Sequence, residues 1–262
     1  MTATRFDHAA IAVRDRMDEA QAAFARLGFT LTPRGHHTLG SINHLIVLGE
    51  TYLELIGFPP GQPDARPELR DAPIGLNGLV FRSDDAQRTH DACAARGAPV
   101  TPVQSFSRPV AIDGETRDAR FRTVRTLPGA SPCGRLYFCE HLTPELVWRP
   151  RWQAHENGAL ELLEVRVSAR DPVAEARLYR SLLGDEAIAA APGGDGFRVS
   201  VPPTAICVDR GPDRMLGLTL RVADLQSAQR LLAARGVDTI RAGGVLQVAP
   251  SQAFDVTLWM TE

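Results

Sequence analysis

The sequence predicts an α+β fold built from four βαβββ modules, and three observations carry that reading. One plan recurs four times along the chain: a short apolar strand runs into an aspartate, an amphipathic helix follows, and a glycine closes it. The four segments are AAIAVRDRMDEAQAAFARLG, LVFRSDDAQRTHDACAARG, VRVSARDPVAEARLYRSLLG and LTLRVADLQSAQRLLAARG, ending at Gly28, Gly97, Gly184 and Gly236. Two or three strand-like runs then follow each helix with no further helical pattern. Parallel βαβ units would need a helix between every pair of strands, so small mixed sheets are favoured over a doubly wound fold. Finally, 262 residues with 44% hydrophobic and 23% charged side chains suffice for a packed core without staples.

In the first module Asp15 or Asp18 is placed to cap a helix whose apolar face is Ala20, Phe24 and Leu27. The runs FTLTP, NHLIVLG and TYLELIG follow as strands. In the second, Asp84 or Asp85 caps, and RFRTVRTL and RLYFCEHL are the strands, with an insertion expected around residues 103 to 135. In the third, Asp171 caps and Pro172 suits the first helical position, where no donor is needed. FRVSV and TAICVD come next. In the fourth, Asp224 caps a helix with Leu225, Ala228, Leu231 and Leu232 on one face, before TIRAG, VLQVA and FDVTLWM. Each closing glycine supplies the left-handed residue that stops its helix. A lone module leaves one sheet face bare, so the modules should pair. The expected division is residues 1–150, a linker at 151–158 where strand patterning lapses, and residues 159–262. Arg149 and Arg151, flanking Pro150 and Trp152, read as linker packing.

Charge excludes some partners. Against 29 basic residues stand 31 acidic ones, a net charge of −2, which gives no electrostatic reason for a nucleic-acid or membrane-surface partner. No apolar run is long enough to span a bilayer, and the opening Met-Thr-Ala-Thr-Arg lacks a signal peptide's apolar core. A cytoplasmic protein is expected. Cys93, Cys133, Cys139 and Cys207 form no CxxC pair, so neither a disulfide framework nor a zinc knuckle is supported. APGGDG (191 to 196) has no helix after it and reads as a turn rather than a phosphate loop. All the basic residues are arginine and none is lysine. That usage, with abundant alanine, points to the codon bias of a GC-rich bacterial genome.

The chain resembles the vicinal oxygen chelate superfamily, which includes glyoxalase I and the extradiol dioxygenases. Paired βαβββ modules are that superfamily's signature. The strand Phe6-Asp7-His8-Ala9-Ala10-Ile11-Ala12-Val13 is similar to its first strand, whose His is a metal ligand. Tyr52-Leu53-Glu54-Leu55 is similar to its fourth, whose Glu is another. His36-His37-Thr38-Leu39-Gly40-Ser41-Ile42-Asn43 resembles the H-x-x-x-G-T-x-N stretch of the glyoxalase-like subgroup, with Ser41 for Thr, and the run from Cys139 to Arg149 resembles it too. The resemblance covers residues 6 to about 158; beyond that only module shape agrees. It implies two cups of the glyoxalase, bleomycin-resistance and dioxygenase type. It also implies a divalent metal (Fe, Zn, Mn, Ni or Co) in a cup between two modules, stabilising an enediolate-type anion as a Lewis acid.

On that resemblance His8 and Glu54 are metal ligands. Strand alternation puts Tyr52, Glu54 and Ile56 on one face. The third ligand is the weak point. Aligning Asp15 with Asp84 places Asn77, a poor transition-metal ligand, where the second module would offer its first. Cys139, Glu140 and His141 follow one another on the last strand, and the register leaves two choices open. His141 would complete a two-His-one-carboxylate set; Glu140 is the alternative ligand or a general base beside Glu54. His36, Asn43 and Asn77 are the expected substrate contacts. His44 lies near them, His90 reads as solvated and His155 as a turn residue. The last two modules offer Glu164, Gly217 and Cys207 but no histidine, so they read as a structural or dimer-completing pair. The expectation is a lyase, isomerase or dioxygenase acting on a small oxygenated molecule; a monomer can already form two cups, and a homodimer is left open as its assembly. The rival is a metal-free protein that sequesters a small molecule in the cup.

Overall fold

The structure, a computed structural model, describes residues 4–112, 114–191 and 194–262. The chain start and part of the turn expected at 191 to 196 lie outside the described residues. The first module contains β1 (Phe6–Arg14), α1 (Met17–Arg26), β2 (Gly35–His36), β3 (Ile42–Leu48) and β4 (Thr51–Gly57). A short helix α2 (Pro67–Arg70) leads to the second, with β5 (Gly75–Arg82), α3 (Ala86–Ala95), β6 (Gln104–Ile112), β7 (Glu115–Arg125) and β8 (Arg135–His141). The third has β9 (Ala159–Ala169), α4 (Pro172–Leu183), β10 (Ile188–Ala190), β11 (Phe197–Val201) and β12 (Thr204–Arg210). The fourth has β13 (Arg214–Val222), α5 (Leu225–Ala234), β14 (Thr239–Ala242), β15 (Val245–Val248) and β16 (Thr257–Thr261).

The modules pair in sequence order into two eight-stranded mixed sheets. The first runs β2-β3-β4-β1-β5-β8-β7-β6 and the second β10-β11-β12-β9-β13-β16-β15-β14. Within each module the first strand lies parallel to the last, and the two modules meet through their first strands, antiparallel, as β1 with β5 and β9 with β13.

Three helices start as the sequence indicates. Asp85 accepts from the Gln87 and Arg88 amides, Asp171 from Val173 and Ala174, and Asp224 from Ser227. Helix α1 differs: neither Asp15 nor Asp18 caps it, Arg16 stands at the cap position, and Asp18 pairs with Arg34 instead. All four closing glycines have positive φ, from 66° to 92°. Two expectations about strands need correction. FTLTP is not a strand, since only Gly35–His36 pairs at that edge. Pro33 has no amide to donate, and Thr32 ties itself to Leu45 through its amide and hydroxyl. Residues 103 to 135 are not an insertion. They hold the long β6–β7 hairpin, in register from Gln104 opposite Thr123 to Ile112 opposite Glu115.

One continuous apolar core joins the helix-bearing faces of both sheets and contains Phe24, Phe81, Tyr179 and Leu232. The rings of Phe81 and Tyr179 meet across it at 6.5 Å. The other face of the first sheet carries a separate cluster of Val47, Tyr52, Val80, Phe121, Tyr137 and Trp152. That face is concave and holds the site.

Candidate functional site

Two β-bulges shape the floor of this cup. Between β1 and β5, Phe6 faces Phe81 and His8 faces Val80, which leaves Asp7 as the extra residue; Ala10 faces Gly78 and Ile11 faces Leu76, which leaves Asn77 as the extra residue on the other strand. A bulge lets neighbouring residues escape strict alternation. Asp7 and His8 consequently meet: Asp7 Oδ1 lies 2.6 Å from His8 Nδ1 and 2.9 Å from His141 Nε2, while Oδ2 accepts from Arg82 Nε at 3.1 Å. Asp7 is fully buried. Burial works against its charge, but His141 and His8 outweigh it and hold the carboxyl well below the usual range.

The Nδ1–H of His8 is committed to Asp7, so its Nε2 faces the cup, 3.6 Å from Glu54 Oε2 and 3.5 Å from the Tyr137 hydroxyl. Its ring stacks on Tyr52 at 4.2 Å. Glu54 Oε1 accepts from Asn43 Nδ2 at 2.7 Å. Burial opposes ionisation of both groups. The Asp7 and Glu54 carboxylates nevertheless raise the His8 pKa, and His8 and Asn43 bring Glu54 down to about 2. His8 thus lies between two carboxylates that favour its protonated form. His37 lies 4.0 Å from Glu54 through Nε2 and bonds Ser41 through Nδ1, and burial takes its pKa down to about 4, so it stays neutral.

The remaining wall is cationic. Arg66, Arg108, Arg125 and Arg135 all line the cup. Arg66 donates to Ser41 Oγ at 2.7 Å and to Glu68 at 2.6 Å. Arg108 is only 3% exposed, and its Nε has no partner. Arg135 gives its Nε to Asn77 Oδ1 at 3.1 Å, while its buried Nη2 has no partner. The Asn43 Oδ1 and Thr123 Oγ1 atoms are buried without partners as well. Unpaired polar atoms gathered in one cavity are the signature of a ligand or water site. The cavity they leave is small, about 40 Å³.

Of the expected site residues, His8, Glu54 and Asn43 come together here. The others do not. His36 lies exposed on β2, and its neighbour His37 takes the place in the cup. Asn77, displaced by its bulge, lines the cleft on the far side of Arg135. Glu140 points to the helix side, where it accepts from the Ala86 amide at the start of α3 and from Arg122. His141 shares the inner face with Cys139 but reaches Asp7 rather than Glu54, and Tyr52 packs against both His8 and His141. His155 is no turn residue in solvent. It is buried and ties the Thr30 amide to the Val47 carbonyl. Sequence reasoning missed Asp7, His37, Tyr137 and the four arginines. Only Arg108 left a signal: Val110 and Ile112 share its face of β6, an unusual setting for a cation.

The bulges also give the correspondence between the modules. Counting from Asp7, His8 pairs with Tyr52 and Ala10 with Glu54. Counting from Asn77, Gly78 pairs with Arg135 and Val80 with Tyr137. The second-module counterparts of His8 and Glu54 are thus Gly78 and Tyr137. Gly78 offers no donor, and burial pushes the Tyr137 phenol up, keeping it protonated. The cup holds His8 and Glu54 of the set that the resemblance implies, on one module, with the neutral His37 4.0 Å from Glu54, and the four guanidiniums beside them oppose a divalent cation there. Asp7, Cys139 and His141 have ligand atoms within 4.8 Å of one another. However, His8, His141 and Arg82 already saturate Asp7, and burial pushes the Cys139 thiol well up. Asp7 and His141 read as parts of a buried hydrogen-bonded cluster with His8 and Arg82.

Paired βαβββ modules around a polar cup define the vicinal oxygen chelate architecture. The glyoxalase-like domain family matches residues 6–183, and the chain belongs to that family within the superfamily. No curated protein sequence matches it. Among solved structures, a hypothetical protein from Staphylococcus aureus aligns with TM-score 0.73 and 9% identity, over 98% of each chain. The 2,3-dioxygenase LapB from Pseudomonas sp. KL28 aligns with TM-score 0.60 and 14% identity, over 100% of this chain and 93% of that one. A mutant of 4-hydroxymandelate synthase from Streptomyces coelicolor gives 0.57 and 16%, over 100% and 94%. At these identities the likeness is one of fold. No helix among the described residues is long and apolar enough to cross a membrane.

Proposed function

We propose that the first cup binds the acidic head of a small oxygenated metabolite without a metal. The observation that carries this is the lining: four arginines converge there, Nε of Arg108 and Nη2 of Arg135 are buried without partners, and the second module sets Gly78 and Tyr137 at the positions that answer to His8 and Glu54. Guanidinium forks match carboxylate and phosphate geometry, and an anion would supply the missing partners. Glu54 and Asn43 at the floor orient the rest of the head, with Glu54 accepting a hydroxyl. The test is metal content by mass spectrometry on protein purified without chelators, together with thermal shift in malonate and in inorganic phosphate. Well under one metal per chain, and a melting temperature that rises with anion, is the expected result. One metal per chain, lost in both His8→Ala and Glu54→Gln, would overturn the reading and restore metal-dependent lyase or dioxygenase chemistry.

A second reading, proton-transfer catalysis, is favoured by the Asp7–His8–Glu54 array. A carboxylate anion at the floor of an arginine-lined cup is placed to take a proton from carbon beside a bound carboxylate, with His8 3.6 Å away to orient it. Deuterium entering such a C–H position from heavy water, abolished in Glu54→Gln, is the distinguishing observation.

A further inference from the structure

We propose that the cleft beside the cup takes the apolar body of the ligand whose acidic head the cup binds, so that the ligand is an amphiphilic organic anion. This rests on the reading of the cup as an anion site.

The argument begins with space. The cup leaves about 40 Å³, room for a head group and little else. Next to it lies a cleft of about 1040 Å³, at the upper end of the range for small-molecule sites. Arg125, Arg135 and Tyr137 belong to both walls. The body of any ligand seated on those arginines has far more space on the cleft side.

Chemistry agrees with size. Pro73, Ile74, Leu127 and Pro128 give the cleft an apolar lining, with Leu76, Leu136 and Met215 of β13 buried behind it. Leu127 is 46% exposed, a large side chain left without cover. The cleft's carboxylates are already engaged: Glu68 with Arg66, Asp71 with Arg70, Asp213 with Arg170 and Asp255 with Arg214. Arg135, by contrast, spends one nitrogen on a neutral amide and keeps a buried one unpartnered. The junction between cup and cleft is therefore the place where a negative head is wanted, with an apolar trough leading from it.

Isothermal titration calorimetry with butanoate, hexanoate, octanoate and decanoate tests this on the full chain. Affinity should rise roughly fourfold per added methylene as the tail enters the cleft. Leu127→Gln and Ile74→Gln should each flatten that dependence by about tenfold at decanoate while leaving butanoate binding unchanged, with circular dichroism confirming the fold. Arg108→Met should weaken all four acids alike. Equal binding of butanoate and decanoate, or a chain-length dependence that survives both glutamine variants, overturns the cleft proposal and leaves the cup reading standing. Failure of every acid to bind overturns the cup reading, and the cleft proposal with it.

Discussion

Arg108 is where binding and stability should pull in opposite directions. Its guanidinium is almost fully buried, its Nε has no partner, and burial lowers its pKa because the charge is poorly solvated. Glu54 is the one carboxylate whose charge favours that of Arg108, and it already serves His8 and Asn43. Replacing whole buried ion pairs by apolar residues is often neutral or stabilising, by ~1–4 kcal/mol, and because Glu54 keeps His8 and Asn43, removing Arg108 leaves no buried charge without a partner, so the same sign is expected here. Arg108→Met keeps the stem that packs beside Gly35 and removes the charge. A gain of about 2 kcal/mol corresponds to a rise of about 4–8 °C in a chain of this size. Scanning calorimetry with and without malonate reads both halves of the argument. The parent protein should gain ~2.7 kcal/mol at malonate a hundredfold above its dissociation constant, whereas Arg108→Met should melt higher without ligand and show no malonate response. A variant that melts several degrees lower, with a parent indifferent to malonate, would refute the reasoning, because Arg108 would then be a structural cation with its needs met.

Three further outcomes follow from the same geometry. Gly35→Ala should weaken anion binding more than tenfold with little loss of fold, because a Cβ there would collide with the Arg108 side chain and with Asn43 Oδ1; calorimetric titration of malonate checks it. Glu54→Gln should lower the His8 pKa, since one of the two carboxylates that hold its proton disappears, and should cost ~1–3 kcal/mol through the disturbed buried contacts; imidazole resonances in an NMR titration and urea unfolding report the two effects. Stability should fall as pH drops from 6.5 toward 4. The unfolded chain takes up a proton there that buried His37, with its pKa down at about 4, refuses. The slope is ~1.4 kcal/mol per pH unit, ~3 kcal/mol in all, and His37→Gln should remove that part. His44 and His155 are lowered too and keep their share in both proteins.

Much of the fold was legible because its signals are local and repeated. Asp85, Asp171 and Asp224 cap helices, the four glycines end them, and the alternation in TYLELIG sends Glu54 into the cup. What stayed hidden depends on pairing between strands. A single extra residue at Asp7 reverses the face that alternation assigns, and a second at Asn77 shifts the module correspondence by one position, from Asn77 to Gly78. No pattern within β1 or β5 alone announces a bulge, because it is a property of two strands together. Glu140 and His141 were separable only through the register of β8 against β5 and β7, which sends Glu140 to the α3 terminus. The arginines were invisible for a different reason: in a chain whose basic residues are all arginine, composition gives no contrast between a surface guanidinium and a buried one.

That contrast, once the packing is known, bears on how this cup treats negative charge. A bound metal stabilises an oxyanion by accepting its lone pairs at fixed distance, and it needs neutral imidazole and free carboxylate donors to stay in place. Here His8 is clamped between Asp7 and Glu54, whose charges favour its protonated form. Gly78 and Tyr137 occupy the positions where the second module would add donors. Positive charge reaches the cup through guanidiniums on α2's flank, β6, β7 and β8 instead. Guanidinium groups can neutralise and orient an anion through hydrogen bonds, without displacing water from a coordination sphere and without demanding deprotonated ligands. On the proposed reading the cup holds an oxyanion through these guanidiniums, and Arg108 and Arg135, whose buried nitrogens lack partners, are the groups that would do it.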